Sequence, residues 1–442
     1  MTTFWCEKAW LGGPDIARGV VIEAVDERID TVQSGVSDPP EGAERLAGLV
    51  IPGFANAHSH VFQRALRGRT HRARGSFWTW REQMYALAAA LDPDSMRALA
   101  RATFAEMALA GITVVGEFHY LHHGPGGKPY DDPNAMSQAV IEGAREAGVR
   151  MTLLDTCYLH GGIGQEPDPA QKRFCDPDAA TWATRVEGVN SGTHLRLGAA
   201  IHSVRAVDPA SAAVVAGWAA EHAAPLHAHV SEQPAENEAT LAAYGATPMA
   251  VLAQAGAISG RFTAVHATHV TDQDLALLGE AGAFCCLCPT TERDLADGVG
   301  PARNLLAAGA RLALGSDSNA IIEPLEEARA VELDERLATR VRGHHSGDEL
   351  LFAATAGGYE SAGWPEGGMI RAGGLADLVA LDLQGVRLTG VADTDLVDAV
   401  VFAGAAADVR DVVVGGRFVV DDREHVTLDV ARELSAALNG AA

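Results

Sequence analysis

The sequence predicts an α/β protein in which a distorted (β/α)8 barrel, the TIM-barrel fold, is joined to a small β-sandwich built from both termini. Short apolar strands alternate with helices through the middle of the chain, whereas both ends are rich in strands alone. Polar side chains suited to chemistry also collect at the strand ends, where barrel active sites form. We expect the barrel to span residues 51–364 and the sandwich to combine residues 1–50 and 365–442.

The N-terminal region looks β-rich up to about residue 50. Residues 20–32, VVIEAVDERIDTV, contain two apolar runs around a polar turn, which is typical of a β-hairpin. The stretch that follows, LVIPGFANAHSH at 49–60, is an apolar run that ends in two histidines. We interpret it as the first strand of the barrel.

From this point strands and helices alternate. The predicted strands, counting the first, are 49–60, 112–119, 149–157, 196–203, 225–230, 262–270, 283–289 and 311–317. The predicted helices are 94–110, 134–147, 210–223, 248–257, 272–281, 302–308, 324–340 and 347–357. Eight short buried strands with helices between them favour eight parallel βα units, which close into a barrel.

The alternation stops near residue 374. The segments 377–383, 397–404 and 409–422 look like strands joined by Gly and Asp turns. We therefore expect this β-rich end to meet the β-rich start of the chain in one small sandwich.

Composition restricts the classes of partner. The chain has 442 residues, 48% of them hydrophobic, and a formal net charge of −24, so nucleic acid and anionic membranes are not expected partners. The N-terminus lacks the pattern of a signal peptide, and no stretch has the apolar density of a spanning helix. Six cysteines in this length do not form a disulfide framework, and the cluster in FCCLCP fits a buried strand. These features predict a cytoplasmic protein.

Four side chains at predicted strand ends are candidate metal ligands. His58 and His60 alternate along one strand, so their side chains face the same side. His229 lies on the fifth strand and Asp317 at the end of the eighth. Three imidazoles and a carboxylate suit a catalytic site for zinc, although iron or manganese could use the same ligands.

Three residues near this cluster are candidates for moving protons. Glu232 lies three residues beyond His229, close enough to reach both an attacking water and a leaving group. Asp317 could accept the first proton while it touches the metal. His266 could stabilise developing charge, and we prefer it to His269 because it is nearer the body of the strand.

These residues together resemble the amidohydrolase superfamily. Its members combine a distorted barrel with a strand-one His-x-His, histidines on strands five and six, an Asp on strand eight, and a sandwich from both termini. Within it, the chain resembles the formimidoylglutamate deiminases, in the stretches NAHSHVFQRALRGR, FWTWREQMY, GEFHYLHH, HSVRAV, HAHVSEQ, CPTTERDLADG and GSDSN. The resemblance implies zinc-dependent hydrolysis of N-formimidoyl-L-glutamate to N-formyl-L-glutamate and ammonia, and a homodimer. Arg293 departs from the smaller residue expected at its position.

The resemblance also implies one metal ion per subunit. Binuclear members of the superfamily usually bridge two metals with a carboxylated lysine or a glutamate, and none of the three lysines, Lys8, Lys128 and Lys172, lies at a predicted strand end. Glu117 could in principle bridge two ions. His229-Val-Ser-Glu232 instead resembles the His-x-x-Glu of the mononuclear deaminases, in which the glutamate shuttles protons.

A small dicarboxylate substrate would need positive charge in the pocket. Arg81 and Arg205 both fall in segments that we predict to follow strands near the rim, and arginine binds carboxylates through two parallel hydrogen bonds. We predict that Gln63, Tyr120 and His202 complete the polar wall.

Three other readings stay open. A deaminase of guanine or a related heterocycle would need aromatic stacking and amide hydrogen bonds more than two arginines. An iminohydrolase could act on a different formimino or guanidino acid. A metal-binding scaffold without catalysis belongs to another class, and the presence of Glu232, His266 and Asp317 argues against it.

Overall fold

The computed structural model describes residues 1–70 and 77–440. Its strands form two eight-stranded sheets. In chain order they are β1 (Thr2–Trp10), β2 (Ile16–Val25), β3 (Arg28–Gln33), β4 (Glu44–Pro52), β5 (Phe54–Ser59), β6 (Ile112–His119), β7 (Arg150–Cys157), β8 (Leu195–Ile201), β9 (Leu226–Val230), β10 (Phe262–His266), β11 (Phe284–Leu287), β12 (Arg311–Leu314), β13 (Leu378–Leu381), β14 (Val409–Val414), β15 (Arg417–Asp421) and β16 (Glu424–His425).

The helices lie mainly between the strands of the second of these sheets. In chain order they are α1 (Phe77–Ala90), α2 (Pro93–Leu109), α3 (Ala135–Glu146), α4 (Ala179–Glu187), α5 (Pro209–Glu221), α6 (Pro234–Tyr244), α7 (Pro248–Gln254), α8 (Asp272–Ala281), α9 (Pro289–Leu295), α10 (Ala302–Ala308), α11 (Pro324–Thr339), α12 (Gly347–Phe352), α13 (Gly358–Ser361), α14 (Leu396–Ala403) and α15 (Val430–Gly440). A π-helical turn, Ala353–Gly357, joins α12 to α13.

Strands β5 to β12 form the predicted barrel. They are hydrogen-bonded in sequence order, and every pair is parallel. A bridge between Ser59 and Asp317 joins the first strand to the segment after the last one. The prediction of a (β/α)8 barrel is therefore confirmed, and its closure falls beside the candidate metal ligands.

Several barrel helices begin with the same local signal. Asp92, Asp208 and Thr247 each accept a hydrogen bond from a backbone N–H of the first helical turn, and a proline follows each of them. Proline suits this position because its missing N–H would have no partner inside the helix. The sequence itself therefore marks where each of these three helices begins.

The other sheet is built from both ends of the chain. Its order is β16-β15-β14-β13-β4-β1-β2-β3, and β4 pairs in parallel with β1 and antiparallel with β13. The strand that we predicted at 49–60 is in fact divided, because residues 49–52 belong to β4 and the barrel strand begins at Phe54. The break falls at Pro52-Gly53, and Gly53 packs so closely on Thr113 that a β-carbon would not fit.

The prediction of a strand at 397–404 is wrong, because this segment forms helix α14. Its buried residues, Leu396, Val397, Val400 and Val401, fall on one face of a helix and pack against α11 and α12. A short run of valines is equally compatible with a buried strand and a buried helix, and only its neighbours decide between them. Helices α1, α4, α6, α9, α13 and α15 were not predicted.

Among the described residues, no helix combines the length and the apolar character that crossing a bilayer requires.

Candidate active site

Four ligand atoms converge where the barrel closes. His58 Nε2 and His60 Nε2 each lie 3.3 Å from Asp317 Oδ1. His229 Nε2 lies 3.2 Å from His58 Nε2 and 3.3 Å from His60 Nε2. All four side chains are buried, so the structure brings together the predicted ligands from the carboxyl ends of β5, β9 and β12.

The backbone at the closure fixes Asp317 against the His-x-His segment. Asp317 N–H donates to His58 O at 3.0 Å, and His60 N–H donates to Asp317 O at 2.9 Å. Asp317 itself adopts a left-handed conformation with φ of 44°. Gly315 makes this approach possible, because a β-carbon there would stand 2.8 Å from His58 Cβ and from His58 O.

The imidazoles are oriented as metal ligands. His60 Nδ1 lies 2.8 Å from Phe118 O, and His229 Nδ1 lies 2.8 Å from His202 O. A carbonyl can only accept, so Nδ1 of each ring carries the hydrogen and Nε2 presents its lone pair to the cluster. Burial lowers the pKa of His60, and it lowers the pKa of His58 to about 3, which keeps these rings neutral as metal binding requires.

The cluster fits a divalent cation. Nitrogen and oxygen ligands at about 2.0–2.1 Å from a tetrahedral ion would stand about 3.3 Å apart, close to the separations seen here. Burial alone would raise the pKa of Asp317, but its contacts with the imidazoles outweigh burial and lower that pKa. The carboxylate therefore supplies negative charge to a site that can hold a metal ion.

Glu232 and His266 stand beside the four ligands. His266 Nε2 lies 3.9 Å from both Glu232 Oε1 and Asp317 Oδ2. Burial would lower the pKa of His266, but the neighbouring carboxylates, with Glu292 first among them, raise it to about 10. His269 points elsewhere, since its Nε2 lies 2.8 Å from Asp297 O. Of the two histidines, His266 is the one that faces the cluster.

A cavity of about 330 Å³ opens above the cluster and contains all the predicted substrate-binding residues. Gln63 donates from Nε2 to Tyr120 Oη at 2.8 Å. Arg205 lies between β8 and α5, with Nη2 3.5 Å from Glu232 Oε2, and is 23% exposed. His202 directly follows β8. Arg81 is the last of the five residues.

Arg81 reaches the cavity from a different element than we predicted. It lies on helix α1, not in a segment that follows a strand, and its Nε donates to Tyr85 Oη. The sequence around it, FWTWREQMY, lacks the apolar periodicity of most amphipathic helices, so the helix was not recognised.

Two strand-end residues do not join the cluster. Glu117 Oε1 accepts a hydrogen bond from Val61 N–H at 2.7 Å, and burial raises the pKa of Glu117 to about 8. His119 is also buried, next to His122. Neither belongs to the four-residue group of ligand atoms among the described residues.

Sequence reasoning missed two buried carboxylates near the cavity. Glu236 lines it, and its Oε2 accepts from Glu232 N–H at 3.3 Å. The available signal was its place in the first turn of α6, only four residues after Glu232. Glu292 lies behind His266, with Oε1 3.2 Å from Nδ1. It follows a strand end by only a few residues, but its partner is 26 positions away in the sequence.

Arg293, which is larger than the residue expected at its position, makes ion pairs with a neighbouring helix. Its guanidinium pairs with Asp334 at 2.8 Å and with Glu326 at 2.8 Å, both on α11. Arg293 therefore ties α9 to α11 and is not among the residues that line the cavity.

Comparison with known proteins agrees with this architecture. A sequence profile of the amidohydrolase family matches residues 49–419. Formimidoylglutamate deiminase of Pseudomonas aeruginosa is 39% identical over 398 residues, covering 87% of each chain. A 5-methylthioadenosine/S-adenosylhomocysteine deaminase of Natronomonas pharaonis is 30% identical, covering 86% of this chain and 83% of that protein.

Solved structures show the same fold. An amidohydrolase from Brucella melitensis superposes with a TM-score of 0.91 at 35% identity over the whole of both chains. An adenosine deaminase from Xanthomonas campestris, solved with bound zinc, superposes with a TM-score of 0.83 at 22% identity, covering 99% of this chain and 97% of that one.

Proposed function

Because the chain belongs to the amidohydrolase family, we propose that it hydrolyses N-formimidoyl-L-glutamate to N-formyl-L-glutamate and ammonia with one zinc ion per subunit. The observation that carries the proposal is the presence of the His58, His60, His229 and Asp317 cluster and two arginines in one cavity. The 39% identity to a formimidoylglutamate deiminase supports the choice of substrate.

The two arginines would bind the two carboxylates of the substrate. Arg81 and Arg205 enter the cavity from different elements, α1 and the turn after β8. In a chain of net charge −24 they place positive charge where a dicarboxylate needs it. The amidine end of the substrate would then lie towards Glu232 and Asp317.

The remaining polar wall would fix the orientation of the substrate. The Tyr120 hydroxyl accepts from Gln63 and donates to Met84 Sδ at 3.8 Å, a weak acceptor that an oxygen atom of the substrate would replace. His202, which also lines the cavity, lies 5.6 Å from Tyr120 between ring centroids. These three side chains would offer hydrogen-bonding groups to the substrate within the cavity.

Zinc is our choice for the cation because three imidazoles and one carboxylate match its preferred ligands, and iron or manganese remain the alternatives. A divalent cation held there would supply Lewis acidity, which makes a water molecule acidic enough to attack near neutral pH.

Two residues of the chain would move the protons. Asp317 would accept the first proton of the attacking water, whose oxygen forms a bond to the formimidoyl carbon. Glu232 would take the second proton from that oxygen and deliver it to the terminal nitrogen, which leaves as ammonia as the carbonyl forms and the carbon–nitrogen bond breaks. His266, whose Nε2 faces both carboxylates at 3.9 Å, would stabilise the charge that develops during attack.

The test is ammonia release from zinc-loaded protein. N-formimidoyl-L-glutamate is compared with N-formimidoyl-L-aspartate and guanine under the same conditions. Release from the glutamate compound alone supports the proposal. Release from guanine would instead assign a heterocycle deaminase, and release from none of them, with one metal bound per chain, would favour a non-catalytic scaffold.

The homodimer and the cytoplasmic location stay predictions.

A further inference from the structure

The ring of His266 is held from behind by a buried carboxylate. Glu292 Oε1 lies 3.2 Å from His266 Nδ1, on the side of the ring opposite to the metal cluster. His266 is 1% exposed and Glu292 is 4% exposed. The contact is therefore shielded from solvent, where a hydrogen bond to a charged group is strong.

Glu292 is itself fixed by the start of helix α9. Its Oε1 accepts a second hydrogen bond from Cys288 N–H at 2.9 Å, while its own N–H donates to Cys288 O at 2.9 Å. A glutamate in the first turn commonly reaches back to the N-cap in this way. A purely structural explanation of Glu292 is thus that it caps α9, and this explanation does not need His266.

A second cation site is the other alternative. One ligand atom each from His266, Cys288 and Glu292 lies within 4.8 Å of the others. However, burial raises the pKa of Cys288 well above its ordinary value, and its thiol packs in a cluster with Ala57, Val265, Cys286 and Ala313. An apolar environment that keeps the thiol protonated does not supply a metal ligand.

We propose that Glu292 is a positioning residue, which accepts the Nδ1 hydrogen of His266 and so directs Nε2 of that ring towards Glu232 and Asp317. The inference rests on the proposed function, because it assigns Glu292 a role in the same reaction. It adds a residue that does not line the cavity and acts only through another side chain.

The backbone at His266 adopts an unusual conformation. His266 and Ala267 have φ of 67° and 49°, so strand β10 ends in two consecutive left-handed residues. Regular pairing with β9 ends at His266, although Ala267 N–H still donates to Val230 O at 3.1 Å. These contacts hold the main chain, and the orientation of the ring depends on its side-chain partners. Glu292 is such a partner, because it accepts the hydrogen of Nδ1.

Two substitutions separate the parts of this role. Glu292→Gln retains an oxygen that can accept from both Cys288 N–H and His266 Nδ1, whereas Glu292→Leu removes the acceptor. Glu349→Leu is the matched control, because Glu349 Oε2 accepts from Ser346 N–H at 2.9 Å at the start of α12, the same kind of cap in an exposed position.

We expect Glu292→Leu to lower kcat by about 10- to 100-fold with KM changed less than about threefold, as for other residues that orient an essential histidine. Glu292→Gln should keep kcat within about fivefold of the unchanged enzyme, because the hydrogen bond remains. Glu349→Leu should lower the unfolding temperature without changing kcat. Metal content should be one per chain in all four proteins.

A spectroscopic measurement tests the inference without turnover. In zinc-loaded protein labelled with ¹⁵N-histidine, the signals of His266 are assigned by their loss in His266→Gln. They should report a hydrogen-bonded Nδ1–H in the unchanged protein and in Glu292→Gln, and a shifted Nδ1 signal in Glu292→Leu, where the acceptor of that hydrogen is gone.

Three results would overturn the inference. Full kcat in Glu292→Leu would mean that Glu292 acts only as a helix cap. An equal loss of kcat in Glu292→Gln and Glu292→Leu would show that the charge of Glu292 matters and not its orientation of the His266 ring. A second metal ion that disappears with either substitution would assign a cation site instead. If the unchanged enzyme releases no ammonia, the proposed function fails, while the ¹⁵N measurement still decides the role of Glu292.

Discussion

Replacing Arg205 with methionine tests how the substrate is recognised. Methionine preserves most of the length of the side chain but removes the guanidinium that stands in the cavity. A hydrogen bond to a charged group contributes about 1.5–3 kcal/mol, and two such bonds to one carboxylate would give about 3–6 kcal/mol. Since Arg205 is 23% exposed, solvent screens part of this energy and we take the lower end.

A loss of about 3 kcal/mol corresponds to roughly a 100-fold fall in kcat/KM, because every 1.4 kcal/mol is tenfold. The same substitution removes positive charge 3.5 Å from Glu232, which would affect any substrate. The assay therefore compares ammonia release from N-formimidoyl-L-glutamate with release from an alkylformamidine that has no carboxylate. The difference between the two losses isolates the contribution of the carboxylate contact.

Two controls sharpen this experiment. Arg205→Lys keeps the charge but not the pair of parallel donors, so its loss should be intermediate. Arg293→Met removes an arginine that pairs with α11 outside the cavity, and it should leave KM unchanged. Equal losses with the dicarboxylate and the uncharged formamidine in Arg205→Met would refute the assignment of Arg205 as a carboxylate-binding residue.

Four further changes have defined outcomes. Glu232→Gln should keep one metal per chain, measured by elemental analysis, but lower kcat by about 10²- to 10⁴-fold; near-normal turnover would exclude a proton shuttle. Removing the metal with a chelator should abolish ammonia release and lower the free energy of unfolding, by about 4 kcal/mol if free metal had been 1,000 times the Kd, and re-adding zinc should restore both. Gly315→Ala should weaken metal binding, measured by competition with a chromogenic chelator, because its β-carbon would displace His58; unchanged affinity would show that the segment relaxes. Burial lowers the pKa of His119 to about 4, so between pH 6.5 and pH 4 its side chain binds a proton only in the unfolded chain, and its contribution to the free energy of unfolding should fall by about 3 kcal/mol as pH drops. In denaturant titrations His119→Gln should reduce the pH slope by this amount, while buried His227, whose pKa is also lowered to about 4, keeps its own contribution.

The sequence by itself determined the local parts of the protein. Alternation of His58 and His60 along a strand depends only on strand geometry, and the structure places their Nε2 atoms on the same carboxylate oxygen. The βα alternation likewise follows from short apolar runs, capping residues and first-turn prolines, all within a few positions of each other. Such signals can be read without knowing what packs against them.

Only the tertiary structure decided the contacts between distant segments. Barrel closure brings Asp317 onto His58 across more than 250 positions, turns His266 rather than His269 towards the cluster, and places Glu292 behind it. Helix α14 was mistaken for a strand because its valines are buried in either form. Periodicity records which face of an element is apolar, but the partner of that face is set by packing, and packing depends on the whole chain.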